Sequence, residues 1–356
     1  MKKLKKLIKN RLSKMYVDLF ISAIVGIFFT YFFTFIVERF ERRIGLLGED
    51  VHKKPGRFLP KSGGLGFLFG WSFSILIYMF MNAGNKMIFN DLITILLIIW
   101  FVGIVGLYDD MKRLGGITKV LLTALPGIAI YFASLYRPFV FIPFLGNARL
   151  SIVYPILLPI IYAVASNAIN MTDTFTGVAP GVVLILTIFT FLSFLFFPLL
   201  PKSDPLYQIA IILAVLTISS LIGYLPHNFY PGKSFNGDCG SLSWGAILAT
   251  IAILSKTEFF LVMAAIPIVT NGFTILSSIK GIIEHHELKT RPTIPDRDNN
   301  IIKANPDENA PITLAHLLTL KNPLSEKELV ISLYLLVSIS SIFTMIFYAI
   351  LFLIFC

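Results

Sequence analysis

The sequence predicts an all-α integral membrane protein of about ten transmembrane helices, one polytopic domain over residues 1–356 with cytosolic active-site loops. Three observations predict it. Of the 356 residues 56% are hydrophobic and only 14% charged, with a mean hydropathy of +0.80; a soluble domain of this size could not hide so much apolar surface. Apolar stretches long enough to cross about 30 Å of hydrocarbon recur along the chain. The polar residues between them are concentrated in alternate connections.

Residues 1–15, MKKLKKLIKNRLSKM, set Leu4, Leu7, Ile8, Leu12 and Met15 at helical spacing among Lys and Arg. The pattern is that of an interfacial amphipathic helix. A secretory leader fits less well, because the apolar run Leu19 to Val37 is long enough to span and leads into ERFERR with no small-residue cleavage site. Ten spans are expected near 17–37, 63–82, 92–108, 117–136, 151–166, 178–200, 206–226, 241–255, 258–280 and 329–354. The eighth is short and should tilt or sit in thinned bilayer. Pro126, Pro155, Pro159 and Pro267 fall inside spans, where neighbouring helices satisfy the freed backbone groups. Residues 282–328 form a long charged loop with a short helix in it. Cys239 and Cys356 give no disulfide framework.

Ten alternating spans put connections 1–2, 3–4, 5–6, 7–8 and 9–10 on one side. Those five carry GEDVHKKPGRFLPKSGG, YDDMKRLGG, NAINMTDTFTG, HNFYPGKSFNGDCGS and EHHELKTRPTIPDRDNN, whereas NAGNK and PKSDP opposite are short and bland. From Arg39 onward the rich side holds about 17 Lys and Arg against about 5 opposite, which makes it cytoplasmic. The basic N-terminus then falls outside and argues the other way; an interfacial helix can bind anionic lipid on either leaflet. Net charge is +10, which suits a lipid surface or an anionic substrate. Nucleic acid is excluded as a partner, since most of the chain is out of its reach.

The third span ends in the adjacent carboxylates Asp109 and Asp110, a pair that also fits a solvated helix terminus. GDCGS adds Asp238 between glycines that let backbone approach a ligand. The fifth connection adds Asn167, Asn170 and Asp173. Together these are four carboxylates and two amides on one face, with Lys112, Lys119, Lys233, Arg291 and Arg297 near them in sequence. Oxygen donors without a Cys or His cluster select a hard cation, Mg2+ or alternatively Mn2+. A hard cation with Lys and Arg on one membrane face points to phosphate chemistry. His285 and His286 open the HHELKTRP run, where a bland surface pair is the simpler explanation. KSGGLGFLFG lacks a preceding strand and is no dinucleotide fingerprint; helix packing or lipid approach explains its glycines.

GLYDDMKRL, NAINMTDTFTG, HNFYPGKSFNGDCGS and HHELKTRP resemble, in order, the signatures of the polyprenyl-phosphate N-acetylhexosamine-1-phosphate transferase superfamily. That superfamily includes phospho-MurNAc-pentapeptide translocase and dolichyl-phosphate GlcNAc-1-phosphotransferase. HNFYPGKSFNGD, NAIN and ITLAHLLTLKNPLSEKEL are similar to the eukaryotic and archaeal branch, TDTFTG and HHELK to the bacterial one. The resemblance implies transfer of GlcNAc 1-phosphate from UDP-GlcNAc to a polyprenyl (dolichyl) phosphate, with UMP released. The alternative is the muramyl-pentapeptide or another UDP-aminosugar substrate.

By the same resemblance Asn170 and Asp238 hold Mg2+, and Asp109 and Asp110 act with Lys119, which grips the diphosphate. Asn167, Asp173, Lys53, Arg291, Arg297, His285 and His286 are implied substrate contacts. The first cytosolic loop, VHKKPGRFLPKSGGLGF, departs from the family at Lys61, usually acidic. Thr174 and Thr176 replace the bacterial Gly and Asp, and Thr293 stands where the eukaryotic pattern has a second arginine. A prenyltransferase would want paired D-x-x-x-D clusters, and Asp110 is followed four residues on by Leu114. A CDP-alcohol phosphotransferase would need D-G-x-x-A-R, which is absent. A transporter would put ionisable groups mid-span and show repeats. Monomer and homodimer both fit the sequence.

Overall fold

The computed structural model describes residues 2–53, 55–279 and 290–355, with residues 2–13 and 355 by backbone alone. In chain order the helices are α1 (Lys2–Ile44), α2 (Gly64–Met81), α3 (Lys86–Lys112), α4 (Gly116–Phe132), α5 (Val153–Thr172), α6 (Val178–Phe196), α7 (Pro205–Asn228), α8 (Gly237–Ser255), α9 (Glu258–Ala264), α10 (Ile266–Ser278), α11 (Leu314–Thr319) and α12 (Glu326–Phe355). Among the described residues six short strands pair as antiparallel hairpins in the connections: β1 (Leu47–Glu49) with β2 (Phe58–Pro60), β3 (Phe139–Ile142) with β4 (Gly146–Arg149), and β5 (Thr293–Asp296) with β6 (Ile301–Ala304).

Among the described residues eight helices are long and apolar enough to cross a membrane: α1 from Lys14 on, α2, α3, α5, α6, α7, α8 and α12. The expected fourth span is the 17-residue α4, and the expected ninth is the pair α9–α10, bent by 67° at Ala265 just before Pro267. Proline at the start of α10 removes a backbone donor there and sets the break. Residues 2–15 are no separate element; their backbone runs straight into α1.

Three boundaries move inward toward the functional end. The eighth span begins at Gly237 and has 19 residues, enough to cross without the thinning expected of it. NAIN, expected in a connection, forms the last turns of α5. Asp109 and Asp110 lie inside the last turn of α3. In each case a neighbouring helix meets the polar side chains, so the helix continues through them.

The most enclosed span is α8, packed by α3, α5, α7, α6 and α2. It comes this close to α3 because Gly106 has no side chain: a Cβ there would lie 2.4 Å from the Asp238 carbonyl carbon and oxygen. At the far end of the bundle Arg137 pairs with Asp204 (3.0 Å), and buried Lys256 donates to Glu258 Oε1 (2.6 Å), Tyr154 Oη (2.9 Å) and the Arg137 carbonyl (3.1 Å). That lock joins these ends of α4, α5, α7, α8 and α9, away from the rim where the polar connections meet.

Candidate active site

The rim gathers the C-terminal ends of α1, α3, α5, α7 and α10 and the N-terminal ends of α2, α4, α6, α8 and α12, which are the ends joined by the five polar connections. Asp110 and Asp238, 128 residues apart, touch directly: the Asp238 N–H donates to Asp110 Oδ1 at 2.9 Å and the Cys239 N–H to Oδ2 at 3.3 Å. Asp110 therefore anchors the first turn of α8, where unpaired N–H groups favour an anion. Gly237, at φ +66°, makes the turn into α8, and a Cβ on it would strike the Asp110 carboxylate at 2.3 Å.

Lys119, 4% exposed in the first turn of α4, bridges the other two carboxylates. Its Nζ lies 2.8 Å from Asp109 Oδ2 and 2.7 Å from Asp238 Oδ2. Asp109 also caps its own helix by accepting the Leu114 N–H. Beside them Asn170 donates Nδ2 to Ser241 Oγ (2.9 Å), one turn along α8 from Asp238, so that its side-chain oxygen is the atom that could ligate a cation. Two carboxylates thus hold one ammonium group at a helix N-terminus, with an amide side chain fastened one turn along the same helix, an arrangement suited to phosphate oxygens and a hard cation.

A recess with an empty volume of about 480 Å³ opens next to this basin, lined among others by His52, Asp173, Phe175, Phe235, Asn236 and Glu326. Asn236 links the two: its Nδ2 donates to Asp173 Oδ1 (2.7 Å) while Tyr224 Oη donates to its Oδ1 (2.8 Å). Burial lifts the Asp173 carboxyl to about 7, with the Asn236 amide pulling down and the Asp110 charge pushing up. Burial likewise holds the His52 imidazole below its ordinary value, so it is neutral at pH 7, its ring 4.6 Å from that of Phe175.

The connection between α1 and α2 straps this recess. Lys53 donates to Glu326 Oε2 (2.6 Å) and lies 3.3 Å from Asp50 Oδ2, and Thr176 donates to Glu326 Oε1 (2.8 Å). Arg297, on the β5–β6 hairpin, donates to the Val51 carbonyl (3.1 Å), and Arg57 donates to the Pro231 and Gly232 carbonyls. The first and last connections of the rich face are therefore in contact.

The structure thus brings Asp109, Asp110, Lys119, Asn170 and Asp238 into one basin, with Asp173 at the recess beside it. Lys53, Arg291 and Arg297 gather at the strap: Lys53 and Arg297 are engaged as above, while exposed Arg291 is near enough for its charge to act on His52. Asn167 is not in the basin. Its Nδ2 is spent on Thr123 Oγ1 (2.8 Å) and the Ala163 carbonyl (2.8 Å), fastening α5 to α4; an amide on that face of α5 meets the neighbouring helix first. His285 and His286 lie outside the described residues. Thr293 is buried at the base of the β5–β6 hairpin. Sequence reasoning missed Asn236, His52, Asp50 and Glu326. Asn236 stands two residues before Asp238 in a stretch already singled out, whereas nothing in the spacing of Asp50 and Glu326 pairs them.

Helices that bury an acid–lysine basin at one rim, beside an open recess, suit a multi-pass membrane enzyme acting on phosphate. The residues sit at helix ends rather than mid-span, which sets it apart from a transporter. The chain belongs to glycosyl transferase family 4, whose description matches residues 92–256, and so to the superfamily of sugar-1-phosphate transferases that its loops resemble. A Sulfolobus acidocaldarius protein, provisionally named a UDP-N-acetylglucosamine–dolichyl-phosphate N-acetylglucosaminephosphotransferase, is 30% identical over 65% of this chain and 70% of its own length. A phospho-N-acetylmuramoyl-pentapeptide-transferase of Clostridium botulinum is 30% identical over 71% of this chain and 75% of its own. Its Staphylococcus aureus namesake is 32% identical over 68% and 76%.

Proposed function

We propose that this enzyme transfers GlcNAc 1-phosphate from UDP-GlcNAc to a polyprenyl (dolichyl) phosphate at the cytoplasmic face of the cell membrane. The lipid phosphate oxygen forms a bond to the β-phosphorus, the bond to the bridging oxygen breaks, and UMP leaves. The observation that carries this reading is the Lys119 ammonium held between Asp109 and Asp238 at the N-terminus of α8. The difficulty of the reaction is bringing two anions together, and preorganised cations and helix dipoles answer it. A phosphate monoester, with its second pKa near 6, needs no strong base.

Asp109 is the better placed of the acid pair to orient the attacking phosphate. Both oxygens of Asp110 are taken by backbone N–H groups of α8, so Asp110 maintains the basin rather than acting as a nucleophile. Trapping of a phosphorylated enzyme with labelled UDP-GlcNAc and no lipid would overturn direct displacement.

Among the described residues no three His, Cys, Asp or Glu group to hold a metal ion by themselves. That donor set fits Mg2+ of the kind that arrives on a diphosphate and takes only one or two protein carboxylates; Asp238 and the Asn170 carbonyl oxygen would hold it. Bound there it would neutralise charge on the diphosphate. Wild-type turnover in Asp238→Asn would remove Asp238 from this role.

The cytoplasmic orientation rests on the excess of Lys and Arg in the connections of the rim. UDP-GlcNAc is preferred because NAIN and HNFYPGKSFNGD, the stretches that build the basin, are those similar to the eukaryotic and archaeal branch. The names of the clostridial and staphylococcal relatives favour UDP-MurNAc-pentapeptide as the second reading. UMP release by purified protein with polyprenyl phosphate, with and without Mg2+, tests the reading. Release from UDP-MurNAc-pentapeptide alone, with none from UDP-GlcNAc, would reassign the donor.

A further inference from the structure

Lys61 is the departure from the family pattern that lands at the centre of the site. Its backbone is fastened on three sides. The Phe235 N–H donates to the neighbouring Pro60 carbonyl (2.8 Å), and the Gly63 and Gly64 N–H groups donate to the Phe235 and Asn236 carbonyls (2.9 Å each). From α1, Glu41 accepts the Ser62 N–H with both carboxylate oxygens, at 3.2 and 3.1 Å. The Lys61 carbonyl lies against Gly237 at the start of α8. Position 61 is thus held whatever its side chain, and only the chemistry of that side chain is free to vary.

The side chain runs from the recess to the basin. Its stem passes Gly48 and Phe235 at the edge of the recess, and its Nζ donates to the Asp110 carbonyl in the last turn of α3. Asp109, Asp110, Asp238 and Glu41 converge here, and Lys119 is already shared between two of them. The Lys61 ammonium therefore rests on the backbone of the residue whose carboxylate holds Asp238. A backbone carbonyl is a weaker partner for that ammonium than a phosphate oxygen.

We propose that Lys61 is a second diphosphate-binding cation, resting on the Asp110 carbonyl in the free enzyme and turning to a phosphate oxygen of the nucleotide sugar. It offsets the acidity of the basin alongside Lys119, where the family's usual acidic residue would add to it. The proposal rests on the nucleotide-sugar reading above, and two substitutions with a direct binding measurement separate the two.

In Lys61→Met the KM for UDP-GlcNAc should rise about tenfold, the loss of one charge-assisted hydrogen bond. The KM for polyprenyl phosphate and the unfolding temperature should stay near wild type, and Lys61→Arg should recover most of the loss. Calorimetric titration of UDP-GlcNAc into wild type and Lys61→Met should show the same weakening without any turnover. A nucleotide KM and Kd within twofold of wild type in Lys61→Met overturns the proposal, as does an equal rise in both substrates' KM values. Wild-type protein that binds UDP-GlcNAc with Lys61-dependent affinity but releases no UMP would sink the reaction and spare the Lys61 contact.

Discussion

Replacing Lys119 by Met is the sharpest test of the basin. The side chain lengths match, so packing in the first turn of α4 is kept while the ammonium is lost from between Asp109 Oδ2 (2.8 Å) and Asp238 Oδ2 (2.7 Å). Each contact is a charge-assisted hydrogen bond worth about 1.5–3 kcal/mol when both partners are shielded. The flanking carboxylates are 11% and 24% exposed, so the lower half of the combined range, about 3–4 kcal/mol, is the fair figure after solvent screening. At 1.4 kcal/mol per factor of ten, two bonds of that strength made by the ammonium to phosphate oxygens in the transition state correspond to a kcat/KM about 10²–10³-fold lower in the variant. The assay is UMP release from purified enzyme in nanodiscs, read beside thermal unfolding. Two carboxylates left facing each other repel, so the variant should also unfold at lower temperature, and millimolar Mg2+ should recover more of that loss than in wild type. Activity within threefold of wild type would refute the basin as the phosphate site. A lowered unfolding temperature indifferent to Mg2+ would refute the account of Asp109 and Asp238 as carboxylates in want of a cation.

Asp109→Ala should lose activity and also unfold at a lower temperature, since it removes the Leu114 cap and one partner of the Lys119 ammonium, while Asp110→Ala leaves two α8 N–H groups unsatisfied and costs about 2–3 kcal/mol of stability, read by thermal unfolding. Gly106→Ala should push the Asp238 backbone off α3, with overpacking of about 1–3 kcal/mol and a drop in kcat larger than any change in lipid KM, since α8 carries the basin. Protonated Asp173 contributes stability that is complete below the ordinary carboxylate value of 3.8 and is lost as pH rises through about 7. Asp173→Asn stays neutral throughout, so above pH 7 it should unfold a few degrees higher than wild type. That difference should shrink as pH falls and vanish below about 4, as scanning calorimetry across the range would report.

The span pattern was legible because the bilayer imposes it: an apolar run of about 20 residues satisfies its own backbone only as a helix. Even so, the break at Ala265 and the shortness of α4 went unread, since hydropathy averages over a window and does not resolve a single turn. The polar connections were also legible, because polar groups at the rim of a membrane bundle stand out against their surroundings. Their helical extent was misjudged for the same reason. Asn170 and Asp238 read as loop residues, yet they lie within α5 and α8 because Ser241, Asp110 and Lys119 meet their polar atoms.

By itself the sequence determined that the chain crosses the membrane many times and that its acids, amides and cations share one face, since both follow from local composition and alternation. Only the tertiary structure decided which of those groups meet. It turned Asp110 inward to hold α8, set Lys119 between Asp109 and Asp238, spent Asn167 on α4, and tied Lys53 to Glu326 across 273 residues. Such partnerships depend on how helices are rotated and stacked, which is fixed by close approaches such as that of α8 to Gly106. Distances of that kind have no trace in the spacing of residues along the chain.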